Sequence, residues 1–183
     1  MKISRLPIAL SLLLSLAACD EFPASKDAQA TSQRLATQGY ELLAQQQPGA
    51  ALAIFEQAVG GDGENIRALQ GKGLALNQLG KHEAAEAAYG AALKIEPGAV
   101  SVNNNLAMSK ILRGKYQEAI DLLKPLASTP SPNQTVIDNL ALANCLLGKS
   151  DEAKTLYSKG LSKAEAAENL RFCKKFTQIK KTK

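Results

Sequence analysis

From residue 32 to about residue 163, small and apolar residues return every three or four positions, with polar residues between them. That is the spacing of amphipathic helices, and Gly, Pro or Asn breaks it every 10 to 15 residues or so. The pattern also repeats at longer range. With the chain shifted by 34 against itself, Gly80-Lys81 falls on Gly114-Lys115 and then on Gly148-Lys149. Ala51, Ala85, Ala119 and Ala153 form one column, and Phe55, Tyr89, Leu123 and Tyr157 form another four residues later. Ala58, Ala92, Leu126 and Gly160 form a third; Gly39 and Gly73 match early in the copy, where Ala107 and Ala141 succeed them. Several columns in register over four copies mark an internal repeat.

Each copy predicts two antiparallel helices joined by a tight turn. Gly80, Gly114 and Gly148 end the first helix in the left-handed conformation that Gly adopts cheaply. In the first copy Gln46-Gln47-Pro48-Gly49 takes that place, with Pro48 suited to a first helical turn. The Gly39/Gly73/Ala107/Ala141 and Ala51/Ala85/Ala119/Ala153 columns let paired helices approach closely, and the Phe55/Tyr89/Leu123/Tyr157 column fills the space between pairs. No pair buries its apolar face alone, so four should stack into an all-α solenoid.

Period and columns resemble the tetratricopeptide repeat, which runs Trp-x-x-Leu-Gly-x-x-Tyr, then Ala-x-x-x-Phe, then Pro. Copy two fits best, with Gly73, Ala85, Tyr89, Ala92 and Pro97 in place. The leading Trp is absent throughout, Gly63 stands where copy one should have Pro, and Pro132 comes one place late in copy three. The resemblance implies a right-handed α-solenoid of four helix pairs over residues 32–65, 66–99, 100–133 and 134–163. A capping helix over 164–177 follows, with Leu170, Phe172, Cys173 and Phe176 on one side, and then a basic tail, 178–183.

It further implies a concave binding groove lined by the first helix of each pair. Carried over residue by residue, Arg67 holds the second position of a copy, and Ala36, Gln70, Asn104 and Asp138 the fifth. Tyr40, Leu74, Met108 and Leu142 hold the ninth, and Leu43, Asn77, Ile111 and Cys145 the twelfth. This is an apolar stripe edged by amides, suited to the side chains of a helix or extended segment, unless neighbouring helices cover it. It lacks the Lys, Arg and Asn set with which some members clamp a C-terminal carboxylate.

The N-terminus follows a different pattern. Lys2 and Arg5 precede an apolar run from Ile8 to Ala18, broken only by Ser11 and Ser15. The run is shorter than the roughly 20 residues a membrane-spanning helix needs, and its order of charged, apolar and small residues is that of a secretory signal. Leu16-Ala17-Ala18-Cys19 resembles the lipobox of bacterial lipoproteins, which implies removal of residues 1–18 and acylation of Cys19. Two or more acyl chains hold a protein on a membrane stably. Residues 19–31, with Pro23 and Ser25 and no apolar periodicity, are expected to form a linker. The expected location is the cell envelope, facing the periplasm. Asp20 favours the inner membrane under enterobacterial rules, whereas a role beside a secretin favours the outer.

Composition agrees with helices: aromatics are 4% of the chain and Trp is absent. Of the formal charge of +5, Lys2 and Arg5 leave with the signal, so 20 basic and 17 acidic residues remain, or +3. Arg171, Lys174, Lys175, Lys180, Lys181 and Lys183 follow the last acid, Glu168. Nucleic-acid binding would want a basic folded face with interleaved aromatics, and export opposes it, so these read as a solvated tail with some attraction to acidic headgroups.

Catalysis finds little support. The only His, His82, stands beside a turn with no second His or nearby Cys, which makes neither a zinc site nor a triad. Gly60-Gly61-Asp62-Gly63 is an inter-helix link, not a phosphate loop or an EF-hand. No cofactor, metal or small-molecule substrate is expected. Cys145 and Cys173 either form a disulfide that staples the cap or are two separate buried thiols.

The expected partner is therefore a protein, with a membrane reached through the lipid. Length, lipobox and repeat layout resemble the TadD-type lipoproteins of the tight-adherence (Flp) pilus system, which implies help in assembling or localising a pilus secretin. An adaptor of cell-wall enzymes or of outer-membrane protein assembly is the alternative.

Overall fold

The structure, a computed structural model, describes residues 24–159 and 162–181. The expected signal 1–18, the lipidation site Cys19 and residues 182–183 of the basic tail lie outside the described residues, as does the side chain of Phe176. Within the described residues the fold is all-helical.

The helices are α1 (Lys26–Ala44), α2 (Pro48–Gly61), α3 (Ile66–Gln78), α4 (His82–Ile95), α5 (Val100–Leu112), α6 (Tyr116–Ala127), α7 (Gln134–Leu147), α8 (Ser150–Tyr157) and α9 (Lys163–Lys181). They pack in sequence as four pairs, α1 with α2 through α7 with α8, and each first helix also touches the first helix of the next pair. The result is a solenoid. Copies two, three and four open at the first residues of α3, α5 and α7.

Turn chemistry sets the pairs. Gly80, Gly114 and Gly148 have φ of 73°, 77° and 95°, and Gln46 takes the same left-handed role in the first pair with φ 58°. Asn65 and Asn133 start α3 and α7 by accepting hydrogen bonds from the N–H groups of Ala68 and Thr135.

Two boundaries differ from the sequence expectation. The linker was expected to reach Thr31, but α1 begins at Lys26. Ser25 caps it by accepting from the N–H of Ala28 at 3.2 Å, and Asp27 suits the first turn. Lys26, Asp27, Gln29, Ala30 and Thr31 are exposed, so this turn forms by capping and propensity and leaves no apolar period to read. Likewise α9 runs to Lys181, beyond the expected end of the cap at 177 and into the expected tail.

Packing follows the columns. Ala51, Ala85, Ala119 and Ala153 are fully buried, as are Phe55, Tyr89 and Leu123, and Tyr157 is nearly so. The fifth first-helix place is taken by α9, which lies against α7 and α8 as α5 lies against α3 and α4. Ala166 and Leu170 pack on the cluster of Ala141, Cys145, Ala153 and Tyr157, and a disulfide joins Cys145 to Cys173 across a Cα–Cα distance of 5.2 Å. Nothing among the described helices is long and apolar enough to cross a membrane.

Candidate binding groove

The candidate groove is built by α1, α3, α5 and α7. The small residues of the Gly39/Gly73/Ala107/Ala141 column set these helices close to their partners, which leaves the opposite faces aligned.

At the N-terminal end, Tyr40 is half-buried and its hydroxyl donates to the carbonyl of Arg67 at 3.2 Å. The exposed Arg67 guanidinium stands 5.1 Å over the Tyr40 ring and donates to Thr37 Oγ1 at 3.2 Å. Burial pushes the Tyr40 hydroxyl above its ordinary pKa of 10.0, against the pull of the Arg67 charge. Leu43 is partly buried on the core of the first pair.

The middle divides into an apolar and an amide stretch. Leu74, Met108 and Leu142 are partly exposed and supply the apolar surface. Gln70 accepts from Ser101 Oγ at 3.4 Å, and Asn104 accepts from Asn139 Nδ2 at 3.0 Å. Gln70 and Asn104 border a cleft of about 350 Å³ with Ser101, Asn105, Asn133 and Thr135, and with Val100 and Val136 as its apolar part. Amides and hydroxyls both donate and accept, so this cleft suits the main chain of an extended segment. Asp138 accepts from Gln134 Nε2 at 2.9 Å.

Three expected groove residues are not available. Ile111 is only 5% exposed, because it packs into the cluster shared with Val136, Leu140 and Ala143 of α7. Cys145 is fully buried in the disulfide, and Ala36 is fully buried. Asn77 is largely engaged: its amide meets Ser109 Oγ at 2.7 and 2.9 Å, and its Oδ1 lies 3.1 Å from His82 Nδ1. Ser101, Asn105, Asn133 and Thr135 were not read as groove residues. Their signal was the run Asn103-Asn104-Asn105 and the cap before α7, polar where a fully buried face would be apolar. Among the described residues no group of three or more His, Cys, Asp or Glu side chains is placed to hold a metal ion.

The model of the tetratricopeptide repeat family matches residues 37–100 and 71–133, together more than half of the chain. The uncharacterized protein y4yS of Sinorhizobium fredii (strain NBRC 101917 / NGR234) is 32% identical over 77 residues, 42% of either chain. This chain thus spans less than half the length of that relative. Among solved structures, Pseudomonas aeruginosa pilF superposes with a TM-score of 0.71 at 18% identity, over 81% of this chain and 69% of that one. YrrB, described as a protein of this repeat type with an unusual peptide-binding site, gives 0.61 at 15% identity, over 79% and 76%. The second repeat domain of human RPAP3, in complex with an HSP70 peptide, gives 0.58 at 14% identity, over 64% and 96%.

Proposed function

The chain belongs to the tetratricopeptide repeat family, and from that premise we propose that it is a membrane-anchored protein scaffold that catalyses no reaction. Its first-helix groove grips a segment of an envelope assembly component, a pilus secretin in the first instance. One observation carries the groove reading: Leu74, Met108 and Leu142, equivalent positions of α3, α5 and α7, stay partly exposed, each one helical turn on from Gln70, Asn104 and Asp138. An extended segment finds apolar pockets for its side chains there and hydrogen-bond partners for its main chain. The peptide named with RPAP3 and the peptide-binding site named for YrrB support a polypeptide ligand for the fold.

Anchoring rests on Leu16-Ala17-Ala18-Cys19, and the secretin rests on the likeness of layout to TadD-type lipoproteins. Residues 20–25 leave a short tether between an acylated Cys19 and α1. Scaffold and partner confined to one membrane meet at raised effective concentration without new contacts.

The test is affinity capture of the full-length chain from cell envelopes, with Leu74→Glu and Met108→Glu as the groove variant and Cys19→Ala as the anchor variant. The secretin should be retained by the parent and reduced at least about tenfold by the groove variant, which must melt as the parent does. Cys19→Ala should move the chain out of the membrane fraction. Unchanged capture would end the groove reading; retention of a cell-wall enzyme in place of the secretin would end the pilus assignment and leave the scaffold.

A further inference from the structure

Where one first helix passes the next, the twelfth position of a copy meets the tenth of its successor. Leu43 packs on the cluster that holds Ala75, Asn77 meets Ser109 at 2.7 Å, and Ile111 shares a cluster with Ala143. Cys145 holds the twelfth position of copy four, and its disulfide partner is Cys173. The bond therefore makes Cys173 the tenth position of a fifth first helix. Packing of α9 gives the same count. Ala166 and Leu170 then hold the third and seventh positions, and they join Cys145, Ala153 and Tyr157 as Val136 and Leu140 join Ile111, Ala119 and Leu123. On this count the fifth copy opens at residue 164, four residues before the 168 that a full step of 34 from Gln134 gives. The missing turn is in α8, which has 8 residues where α2, α4 and α6 have 12 to 14.

The shifted count changes which residues of α9 belong to the groove. Phe172 takes the ninth position, in the column of Tyr40, Leu74, Met108 and Leu142, and Glu168 takes the fifth, after Asp138. At 55% exposure Phe172 is the most exposed large apolar side chain among the described residues. The groove thus has a fifth wall, and the rim formed by its second and fifth positions is polarised. Arg67, over the Tyr40 ring, stands at one end, uncharged Gln70 and Asn104 lie between, and Asp138 and the exposed Glu168 stand at the other. Arg67, Asp138 and Glu168 are in no ion pair among the described residues. Glu165, at the second position of α9, is taken up by its own cap, accepting from the N–H and Oγ of Ser162 at 2.9 and 2.7 Å. The exposed Lys175 holds the twelfth position, on the other rim, about 10 Å along the helix from Glu168. Arg171 and Lys174 hold the eighth and eleventh, which in the other copies face the second helices.

We propose that the groove takes an extended partner segment with a fixed order of chemistry: an acidic residue at the Arg67 end, apolar side chains for the row that ends at Phe172, and a basic residue at the Asp138 and Glu168 end. This rests on the groove reading above and adds the fifth wall and the polarity. Packed helices lie about 8–10 Å apart, so the row from α3 to α9 spans about 24–30 Å. An extended segment covers that in roughly eight residues.

The probe is a fluorescent ten-residue peptide, apolar at alternate positions, with Asp near one end and Arg near the other. Two companions carry Gln or Glu in place of the Arg. Each is made in both chain directions, and binding to the full-length chain is read by anisotropy at low salt. In one direction the Arg peptide should bind at least about tenfold tighter than the Glu peptide, with the Gln peptide between them. Asp138→Lys with Glu168→Lys should reverse that order. Phe172→Ala, at an exposed site, should weaken all three peptides at least about fivefold while the chain melts as the parent does. Leu74→Glu with Met108→Glu should abolish binding of all three. Equal binding of the three peptides, or no effect of Phe172→Ala, would overturn the polarity and the fifth wall and leave the groove reading standing. Failure of every peptide to bind, or binding that survives the Leu74 and Met108 changes, would overturn both.

Discussion

The ring of Phe55 lies against Gly39 so closely that a β-carbon on that glycine would stand 2.6 Å from Phe55 Cε1. Gly71, on the next pair, meets the same ring at the same atoms, and Gly73 meets Tyr89 in the same way. The large residue of one column thus requires the absent side chain of another. Gly39→Ala should destabilise the fold by about 1–3 kcal/mol through overpacking, despite the better helix propensity of Ala. Phe55→Leu in the same chain should recover part of that loss, as Leu123 coexists with Ala107 in copy three. Urea unfolding of the two single variants and the double variant checks the coupling; additive effects would contradict it.

Gln46 occupies the left-handed turn position that Gly80, Gly114 and Gly148 fill in the other pairs. A side chain there carries a steric cost that Gly avoids. Gln46→Gly should therefore raise stability by about 1 kcal/mol, although Gly also gives the unfolded chain more freedom. Thermal melting is the measurement. A melting temperature at or below the parent's would show that the Gln46 side chain contributes something at the turn.

Glu86 works against burial, but hydrogen bonds from Arg113 and Lys110 and the charge of Lys115 hold its carboxyl below the ordinary value of 4.5. A carboxylate depressed on folding contributes stability above its unfolded pKa and loses it as pH falls through the folded one. The parent's melting temperature should therefore fall as pH drops from about 5 toward 3, and Glu86→Gln should flatten that slope. At neutral pH the same variant should melt several degrees lower, since Arg113 and Lys110 lose their common partner. Slopes that match within error would remove Glu86 from the acid response.

Cys145 and Cys173 close a loop with a sequence separation of 28. The chain-entropy estimate for such a loop is about 3–4 kcal/mol. Cys173→Ser, or reduction, should lower stability by that order and free α9 first, while the pairs from α1 to α6 keep their amide protection. Hydrogen exchange followed by mass spectrometry reads both. Loss of protection spread evenly along the chain would mean that the cap is not a separate unit.

The groove was only partly legible in the sequence. Leu74, Met108, Gln70 and Asn104 could be placed on it because their helix face follows from a 3.6-residue period and a 34-residue repeat. Ile111 and Asn77 obey the same period, yet Val136 and Leu140 of α7 help cover the first, and Ser109 and His82 of other helices occupy the second. Periodicity states which face a residue takes. It does not state which neighbour leans across that face.

The sequence by itself determined the four helix pairs, their glycine turns and the matched columns of small and large residues, because these follow from contacts within one pair and recur at fixed spacing. The early start of α1 escaped it, since a capped, exposed turn has no apolar signature. Only the tertiary structure decided how each seam between pairs is filled and which groove residues remain free. Both depend on which side chains of adjacent pairs meet: Glu86 and Lys110 form an ion pair at one seam, while Ile120 and Leu140 share an apolar cluster at the next.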